Sequence, residues 1–228
     1  MKKMLSIILA LTLCLALTTG CGTDTPEATT SATKKENAEN NTKVTKVINP
    51  LAETLDINTL DNCTVAVSLG KDDVKVSEDG KLVMNATVYS YELYDMVDIA
   101  ELKEGDDITR QGKTIKVTKL ERLNSGLVRI NGGEENGGFD LNSNESTVYF
   151  EVGANDAKAY YELGKVELPV SDEFEYVDES DPDSEAKIYY AGDLLIDNSD
   201  IEYNFSPNNT SIVIENGTII KMNKVYMP

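Results

Sequence analysis

Residues 77–92 read SEDGKLVMNATVYSYE, and this stretch decides the fold class. Leu82 to Glu92 is rich in Val, Tyr and Thr, which are the residue types that favour a half-buried strand. Asp79-Gly80 comes just before it and supplies the positive φ angle that a tight hairpin turn needs. The stretch therefore predicts a strand that enters a sheet through a hairpin.

The same composition recurs along the chain from about residue 60 onward. Asn216-Gly217 is a second hairpin dipeptide, and Gln111-Gly112 lies between two strand-like runs in a similar position. These patterns predict a mainly β fold, either an antiparallel barrel or a sandwich with hairpins. The other runs that favour strands are Thr64 to Leu69, Ile115 to Leu120, Leu127 to Ile130, Ser146 to Val152, Ile188 to Tyr190, Ile201 to Phe205 and Ser211 to Ile214.

Two short helices are expected to cap this sheet. Asp98 and Glu101 have the spacing of a capping box, so a helix is expected to begin near them. A second helix is expected over residues 157–163, opened by Asn155 or Asp156. The predicted fold class is thus a mainly β barrel or sandwich with two short capping helices.

Residues 102–108 read LKEGDDI and precede the Gly112 turn and the strand-like residues Ile115 to Val117. This pattern resembles the L-x-x-G-D-x-I segment of small SH3-like and OB-like barrels. The resemblance implies a small barrel but no function, because one fold carries many functions.

The N-terminus has the layout of an export signal. Lys2 and Lys3 precede an apolar run from Met4 to Leu17 that is too short to span a bilayer. Residues 17–21 read LTTGC, which resembles the lipobox of bacterial lipoproteins, with Thr18 at a position that is usually aliphatic. The resemblance implies that Cys21 receives diacylglycerol and becomes the first residue of the mature protein. An ordinary secretory signal, cleaved near residue 20 or 22, is the alternative.

Composition divides the chain into three parts. Residues 1–20 are the expected lipoprotein signal peptide, and residues 21–55 a flexible tether, since they are rich in Thr, Ala, Asn, Lys and Glu and begin without apolar periodicity. Residues 56–228 are expected to form one β-rich extracytoplasmic domain, which the lipid would hold on the cell membrane. This last part is similar to secreted lipoproteins of Gram-positive anaerobes, but no functional motif can be matched between them.

The net charge of −19 excludes one class of partner. A nucleic acid backbone is bound by clusters of Lys and Arg, and the sequence shows no such cluster. The same acidic field repels anionic lipid headgroups and anionic wall polymers. We therefore expect no nucleic acid partner, and contact with the membrane only through the N-terminal lipid.

The chain contains no histidine, which limits the chemistry it can perform. Ser-His-Asp and Cys-His nucleophiles and HExxH zinc sites all need that residue. Catalysis by a pair of carboxylates, as in glycoside hydrolysis, remains possible. Among the 40 Asp and Glu residues no pair is distinguished by its pattern. We therefore expect a protein that is not an enzyme, with a carboxylate-dependent hydrolase as the alternative.

Two candidate sites follow from residue types. Asp178, Asp181, Asp183 and Glu185 crowd one predicted loop and offer the oxygen ligands that calcium prefers, although the loop does not follow the EF-hand pattern. Calcium is thus the candidate cofactor, against a solvated acidic loop. The second candidate is a tyrosine platform for sugar rings, formed by Tyr89, Tyr91 and Tyr94, against ordinary packing of these rings. The expected function is a non-catalytic module that binds a wall glycan or a surface protein.

Overall fold

The computed structural model describes residues 45–143, 147–153, 156–196, 198 and 200–227, and this part of the chain is mainly β, as predicted. Two short α-helices interrupt the strands, namely Met96–Glu101 (α1) and Ala191–Leu195 (α2). The strands are Val47–Ile48 (β1), Cys63–Ser68 (β2), Val74–Val76 (β3), Leu82–Ser90 (β4), Leu93–Asp95 (β5), Asp107–Arg110 (β6), Lys113–Lys116 (β7), Leu120–Arg122 (β8), Val128–Ile130 (β9), Phe139–Asn142 (β10), Val148–Val152 (β11), Tyr161–Glu179 (β12), Lys187–Tyr190 (β13), Thr210–Glu215 (β14) and Thr218–Val225 (β15).

Five of these strands close into a barrel. Going around it, β2 pairs with β4, β4 with β12, β12 with β15, β15 with β14, and β14 with β2. All of these pairs are antiparallel except β12 with β15. Since β14 returns to lie beside β2, the first three barrel strands and β14 form a Greek key, which is the architecture of small OB-type barrels. The prediction of a mainly β barrel or sandwich is confirmed, and the architecture is a barrel. The L-x-x-G-D-x-I segment at residues 102–108 lies outside the barrel strands.

The quoted stretch 77–92 contains the barrel strand β4 and the turn that joins it to β3, a strand outside the barrel. β3 and β4 pair on either side of Gly80, whose φ is +84°. Met84, Ala86 and Val88 of β4 are fully buried in the barrel core, and the residues between them are half-buried. A second hairpin joins β14 to β15 through Asn216 and Gly217, and both residues have positive φ. The period-two pattern thus places one face of each strand inside the barrel.

Residues 91–160 form an insertion between barrel strands β4 and β12. The insertion contains the five-stranded sheet β5-β11-β10-β9-β8, and its β6–β7 hairpin pairs with β1 from upstream in the chain. It has its own hydrophobic core, separate from the core of the barrel. The side chains of this second core belong to Ile48, Tyr94, Ile99, Leu102, Ile108, Val117, Val128, Ile130, Phe139 and Leu141.

The structure corrects the position of one helix. α1 lies where the capping pattern predicts a helix, although Asp95 caps it, through bonds from the backbone N–H groups of Val97 and Asp98. No helix forms among the described residues of the predicted 157–163 segment. Lys158 instead forms a β-bridge with Val152, and β12 begins at Tyr161. Pairing with β4 and β11 outweighs the helix preference of Ala157 and Ala159.

The folded part of the chain includes residues that the sequence assigns to the tether. Val47–Ile48 pairs in parallel with β6, and Ile48 is buried in the core of the insertion. The Lys46 ammonium lies 2.8 Å from an Asp98 carboxylate oxygen and 2.9 Å from one of Glu101. Ile48 follows a long polar segment, so the sequence shows no apolar periodicity at this point. For that reason the predicted boundary between tether and domain lies later, at residue 56. Residues 1–44, which include the predicted signal peptide and Cys21, lie outside the described residues.

Candidate functional site

A groove of about 260 Å³ lies on the outer face of the barrel. Its floor is formed by β2 and β14, whose outward residues Ala66 and Ser211 are paired neighbours. The loop that precedes β14 forms one wall, and Tyr91 and Tyr160 form a second. The complete lining is Thr64, Val65, Ala66, Tyr91, Tyr160, Pro207, Asn208, Asn209, Thr210, Ser211 and Val225.

The loop wall is held in shape by the side chain of Asn209. Its Oδ1 accepts hydrogen bonds from the backbone N–H of Ser206 at 2.9 Å and from the hydroxyl of Thr210 at 2.6 Å. Its Nδ2 donates to the carbonyl oxygen of Asn204 at 3.1 Å. The neighbouring Asn208 is exposed, and no hydrogen bond within the described residues engages its side-chain amide. Asn208 therefore presents a free donor and acceptor to the groove.

The aromatic wall is built where the insertion joins the barrel. Tyr91 follows the last residue of β4, Tyr160 precedes the first residue of β12, and the adjoining Ser90 and Tyr161 are paired. The two rings meet edge to face, with centroids 5.4 Å apart and an interplanar angle of 73°. Tyr91 is 37% exposed. Burial, and secondarily the nearby Tyr91, raise the pKa of Tyr160, so its phenol stays protonated as a donor at neutral pH.

Lys158 packs against the aromatic wall but is not itself among the residues that line the groove. Its Nζ lies 3.7 Å from the centroid of the Tyr91 ring, a close cation–π contact. The rings of Phe150 and Tyr160 are 5.8 Å and 5.9 Å away, near the limit of such contacts at about 6 Å. The ammonium is thus surrounded on several sides by aromatic surface.

The groove differs from the rest of the molecule in charge. The chain carries 40 acidic residues, yet no charged side chain lines this groove in the described part of the protein. Its polar lining consists of amides, hydroxyls and phenols, next to apolar surface from Pro207 and Val225. Such a surface suits a ligand that has many hydroxyl groups and flat apolar faces.

Two of the three predicted platform tyrosines lie at or beside the groove. Tyr91 lines it directly, whereas Tyr89 pairs with the floor residue Ala66, and its hydroxyl is 3.1 Å from the Ser68 hydroxyl. Tyr94 is a correction, because it is fully buried in the core of the insertion. Its hydroxyl is 2.8 Å from a Glu92 carboxylate oxygen and 2.9 Å from the Thr109 carbonyl oxygen. Tyr94 therefore offers no face to a ligand.

Sequence reasoning missed Tyr160, Lys158 and the loop 206–209. The first two residues lie in the segment that was predicted to be a helix, so their relation to Tyr91 was not visible. The two adjacent tyrosines at 160–161 could have indicated a strand here, because aromatic residues favour strands over helices. The Ser206-Pro207-Asn208-Asn209 sequence also marks a turn directly before a strand.

The four acidic residues predicted to bind calcium lie around the turn from β12 to β13. Asp178 Oδ1 accepts from the backbone N–H of Ser180 at 3.0 Å and from its hydroxyl at 2.5 Å, and Oδ2 accepts from the Tyr176 hydroxyl at 2.8 Å. Burial alone would raise the pKa of Asp178, but these bonds hold it below its usual value. The loop's own donors thus already engage this carboxylate.

The rest of this loop is more exposed. Asp181 accepts from the Ser184 hydroxyl at 2.7 Å and from the backbone N–H of Asp183 at 3.0 Å, bonds that lower the pKa of Asp181. Glu185 lines a small cavity with Asp178 and Asp181. Within the described residues, no three acidic or cysteine side chains are arranged so that they could hold a metal ion. Calcium binding stays a prediction, which thermal unfolding in calcium and in EDTA tests.

A second cavity of about 380 Å³ bears on the alternative of a carboxylate-dependent enzyme. It lies between residues 49–54 and the insertion, and two glutamates line it. Glu53 is exposed, whereas Glu92 is buried. Glu92 Oε1 accepts from the backbone N–H of Gln111 at 2.7 Å, and its Oε2 is bonded to the Tyr94 hydroxyl.

Comparison of the chain with protein-family models, with curated proteins and with solved structures gives no significant match. Among the described residues, no helix is long and apolar enough to cross a membrane.

Proposed function

We propose that the protein is a lipid-anchored extracytoplasmic binding module and that the groove on its barrel binds a cell-wall glycan. The observation that carries this proposal is the groove itself, which joins the exposed Tyr91 and the half-buried Tyr160 to an uncharged lining of amides and hydroxyls. Pyranose rings have apolar faces that stack on tyrosine and hydroxyl edges that bond to amides and hydroxyls. Asn208 and the Tyr160 phenol are two of the lining groups whose side chains form no hydrogen bond within the described residues.

Titration of the protein with soluble wall glycan strands, followed by isothermal calorimetry, tests the proposal. Tyr91→Ala should weaken binding about 10-fold, equivalent to about 1.4 kcal/mol, because it removes the stacking surface. Asn208→Ala should weaken it about 5-fold, since one hydrogen bond contributes about 1 kcal/mol. Tyr190→Ala is the matched control, because Tyr190 is an exposed tyrosine on β13 outside the groove. A wild-type protein that binds no glycan, or equal losses at Tyr91 and Tyr190, would contradict the proposal.

The anchoring part of the proposal rests on residues 1–21. Their sequence resembles a lipoprotein signal, which supports a lipid anchor at Cys21 and a barrel outside the membrane. Metabolic labelling of the producing cells with an alkyne fatty acid measures this directly. The wild-type protein should incorporate the label and sediment with membranes, and Cys21→Ser should do neither. An unlabelled wild-type protein would instead fit an ordinary secreted protein.

A carboxylate-dependent hydrolase is the second candidate function, favoured by the cavity that Glu53 and Glu92 share. One carboxylate is buried and the other exposed, and carboxylates in unlike environments are what glycoside hydrolysis requires. Release of reducing ends from wall glycan measures this activity. Glu92→Gln should reduce the rate at least 100-fold, whereas Tyr190→Ala should leave it unchanged. Absence of turnover by the wild-type protein would eliminate this candidate.

A further inference from the structure

The Lys158 ammonium contacts aromatic rings, whereas several other lysines of the described residues contact carboxylates. Lys46, Lys75 and Lys116, for example, each lie within 2.9 Å of a carboxylate oxygen. Lys158 has no such partner among the described residues, and its Nζ contacts the faces of aromatic rings instead. Because Tyr91 lines the uncharged groove, this contact holds the Lys158 ammonium next to that groove.

The contact with Tyr91 leaves hydrogen-bonding capacity on Lys158. An ammonium has three N–H donors, and a ring face attracts the charge without providing a carbonyl or carboxylate acceptor. No acceptor atom within the described residues is bonded to this Nζ. Lys158 is therefore anchored by Tyr91 and still able to donate to an anionic group that enters the groove.

We infer that Lys158 makes the groove selective for a glycan in which a sugar carries a carboxylate. This inference rests on the proposed function and names its ligand class: a strand of N-acetylated amino sugars with a carboxylate, such as an ether-linked lactyl group, on alternate rings. The acidic surface repels anions elsewhere, but the groove lining adds no negative charge. A carboxylate seated at Lys158 would form a charge-assisted hydrogen bond while its sugar ring stacks on Tyr91.

Lys158 also has a plainer role, in which it only holds Tyr91 in place. The two roles differ in what they do to a neutral ligand. If Lys158 acts on the ligand's carboxylate, its loss affects acidic glycans alone. If it only positions Tyr91, its loss weakens neutral and acidic glycans equally.

The test uses two glycans with the same backbone. Chitohexaose is the neutral probe, and a peptide-free hexasaccharide of alternating N-acetylglucosamine and N-acetylmuramic acid is the acidic probe. Calorimetry should show that the wild-type protein binds the acidic probe about 10-fold more tightly, and that this preference falls as salt is added. Lys158→Met should bind both probes equally, with its affinity for chitohexaose within about 2-fold of wild type. Lys158→Arg, which keeps the charge, should retain the preference.

The outcomes separate this inference from the proposed function. Equal binding of the two probes by the wild-type protein overturns the role of Lys158 and leaves the glycan groove intact. Equal losses for both probes in Lys158→Met assign the lysine to positioning Tyr91 and also overturn the inference. If the wild-type protein binds neither probe, the proposed function itself fails.

Discussion

Asp178 lies at the end of β12 beside the buried ammonium of Lys224. Three donors of the chain engage its carboxylate, and Lys224 Nζ is 3.9 Å from its Oδ2. The Lys224 side chain is only 1% exposed, and the Glu202 carbonyl oxygen accepts from its Nζ at 3.3 Å. A buried cation without its counter-ion is costly, so this aspartate is expected to stabilise the barrel.

Asp178→Asn should therefore destabilise the protein by about 3 kcal/mol, because it leaves Lys224 without a negative neighbour. Urea unfolding at pH 7 measures this change. Asp181→Asn is the matched control, because Asp181 belongs to the same turn but is exposed, and it should cost no more than about 0.5 kcal/mol. Equal stabilities of the two variants would show that the Asp178–Lys224 pair contributes nothing.

The stability of the wild-type protein should fall in acid in a way that depends on Asp178. The pKa of Asp178 in the folded protein is lowered, while an unfolded Asp titrates near 3.9. Its contribution is therefore complete above about pH 4 and is lost as the pH falls through the folded-state pKa. Unfolding of wild type and Asp178→Asn from pH 7 to pH 2.5 should show a stability difference that shrinks with acidification. A difference that stays constant down to pH 2.5 would assign the effect to something other than this carboxylate.

Among the strands of the barrel, the sequence predicts β2 and β4 but not β12. β2 and β4 are predicted well because in each an uninterrupted run that contains Val and Thr follows turn residues. β12 was missed because Gly164 and Pro169 interrupt its alternating pattern, and both residues weaken a strand assignment. In the structure it runs from Tyr161 to Glu179, with a register shift near Gly164 and another after Val170. Pairing with three neighbouring strands stabilises it, and tertiary pairing is not visible in a local pattern.

Glycine at position 164 is required by the bulge between β12 and β4. Its φ is +143°, and an added Cβ would lie 3.2 Å from Ile57 Cδ1. Gly164→Ala should cost about 1–3 kcal/mol through backbone strain. Gly192→Ala in α2 is the control, since its Cβ would meet no atom within 4 Å and alanine favours a helix by roughly 0.5–1 kcal/mol. Thermal unfolding should thus shift in opposite directions, and a neutral Gly164→Ala would contradict the strained bulge.

The sequence predicts only part of the groove, because the residues of its aromatic wall are far apart in the chain. Tyr91 was identified because it follows a clear strand, but Tyr160 and Lys158 come from a segment 70 residues further along. Their approach to Tyr91 depends on the pairing of Ser90 with Tyr161. A site assembled across a long insertion has no sequence spacing that would reveal it.

At the scale of the whole molecule, the described residues form two hydrophobic cores, one in the barrel and one in the insertion. The barrel is closed by five strand pairings, none of which includes a strand of the insertion. Because the barrel's strand pairings and its hydrophobic core do not involve strands of the insertion, local unfolding of the insertion is expected to leave the barrel closed.

Gly138→Ala should separate the two cores. An added Cβ at Gly138 would lie 2.0 Å from the Ile130 carbonyl oxygen, so the backbone of the insertion would have to shift, at a cost of roughly 3 kcal/mol. Hydrogen exchange should accelerate in β9 and β10 and stay unchanged in β2 and β14. Gly153→Ala is the control in the same region, where the nearest atom to an added Cβ is Ala159 Cβ at 3.9 Å. Equal acceleration in all four strands would mean that the two cores unfold together.

The insertion is attached to the barrel at two paired residues, so it could be gained or lost during evolution without disrupting the barrel. Ser90 and Tyr161 are paired, so a short turn between them would join β4 to β12 and keep every barrel strand. The shortened chain would lack Tyr91, Lys158 and Tyr160, and with them the aromatic wall of the groove. Gain or loss of the insertion would thus create or remove the aromatic wall of the groove in a single genetic event. The hydrophobic core of the barrel would meanwhile evolve independently of that event.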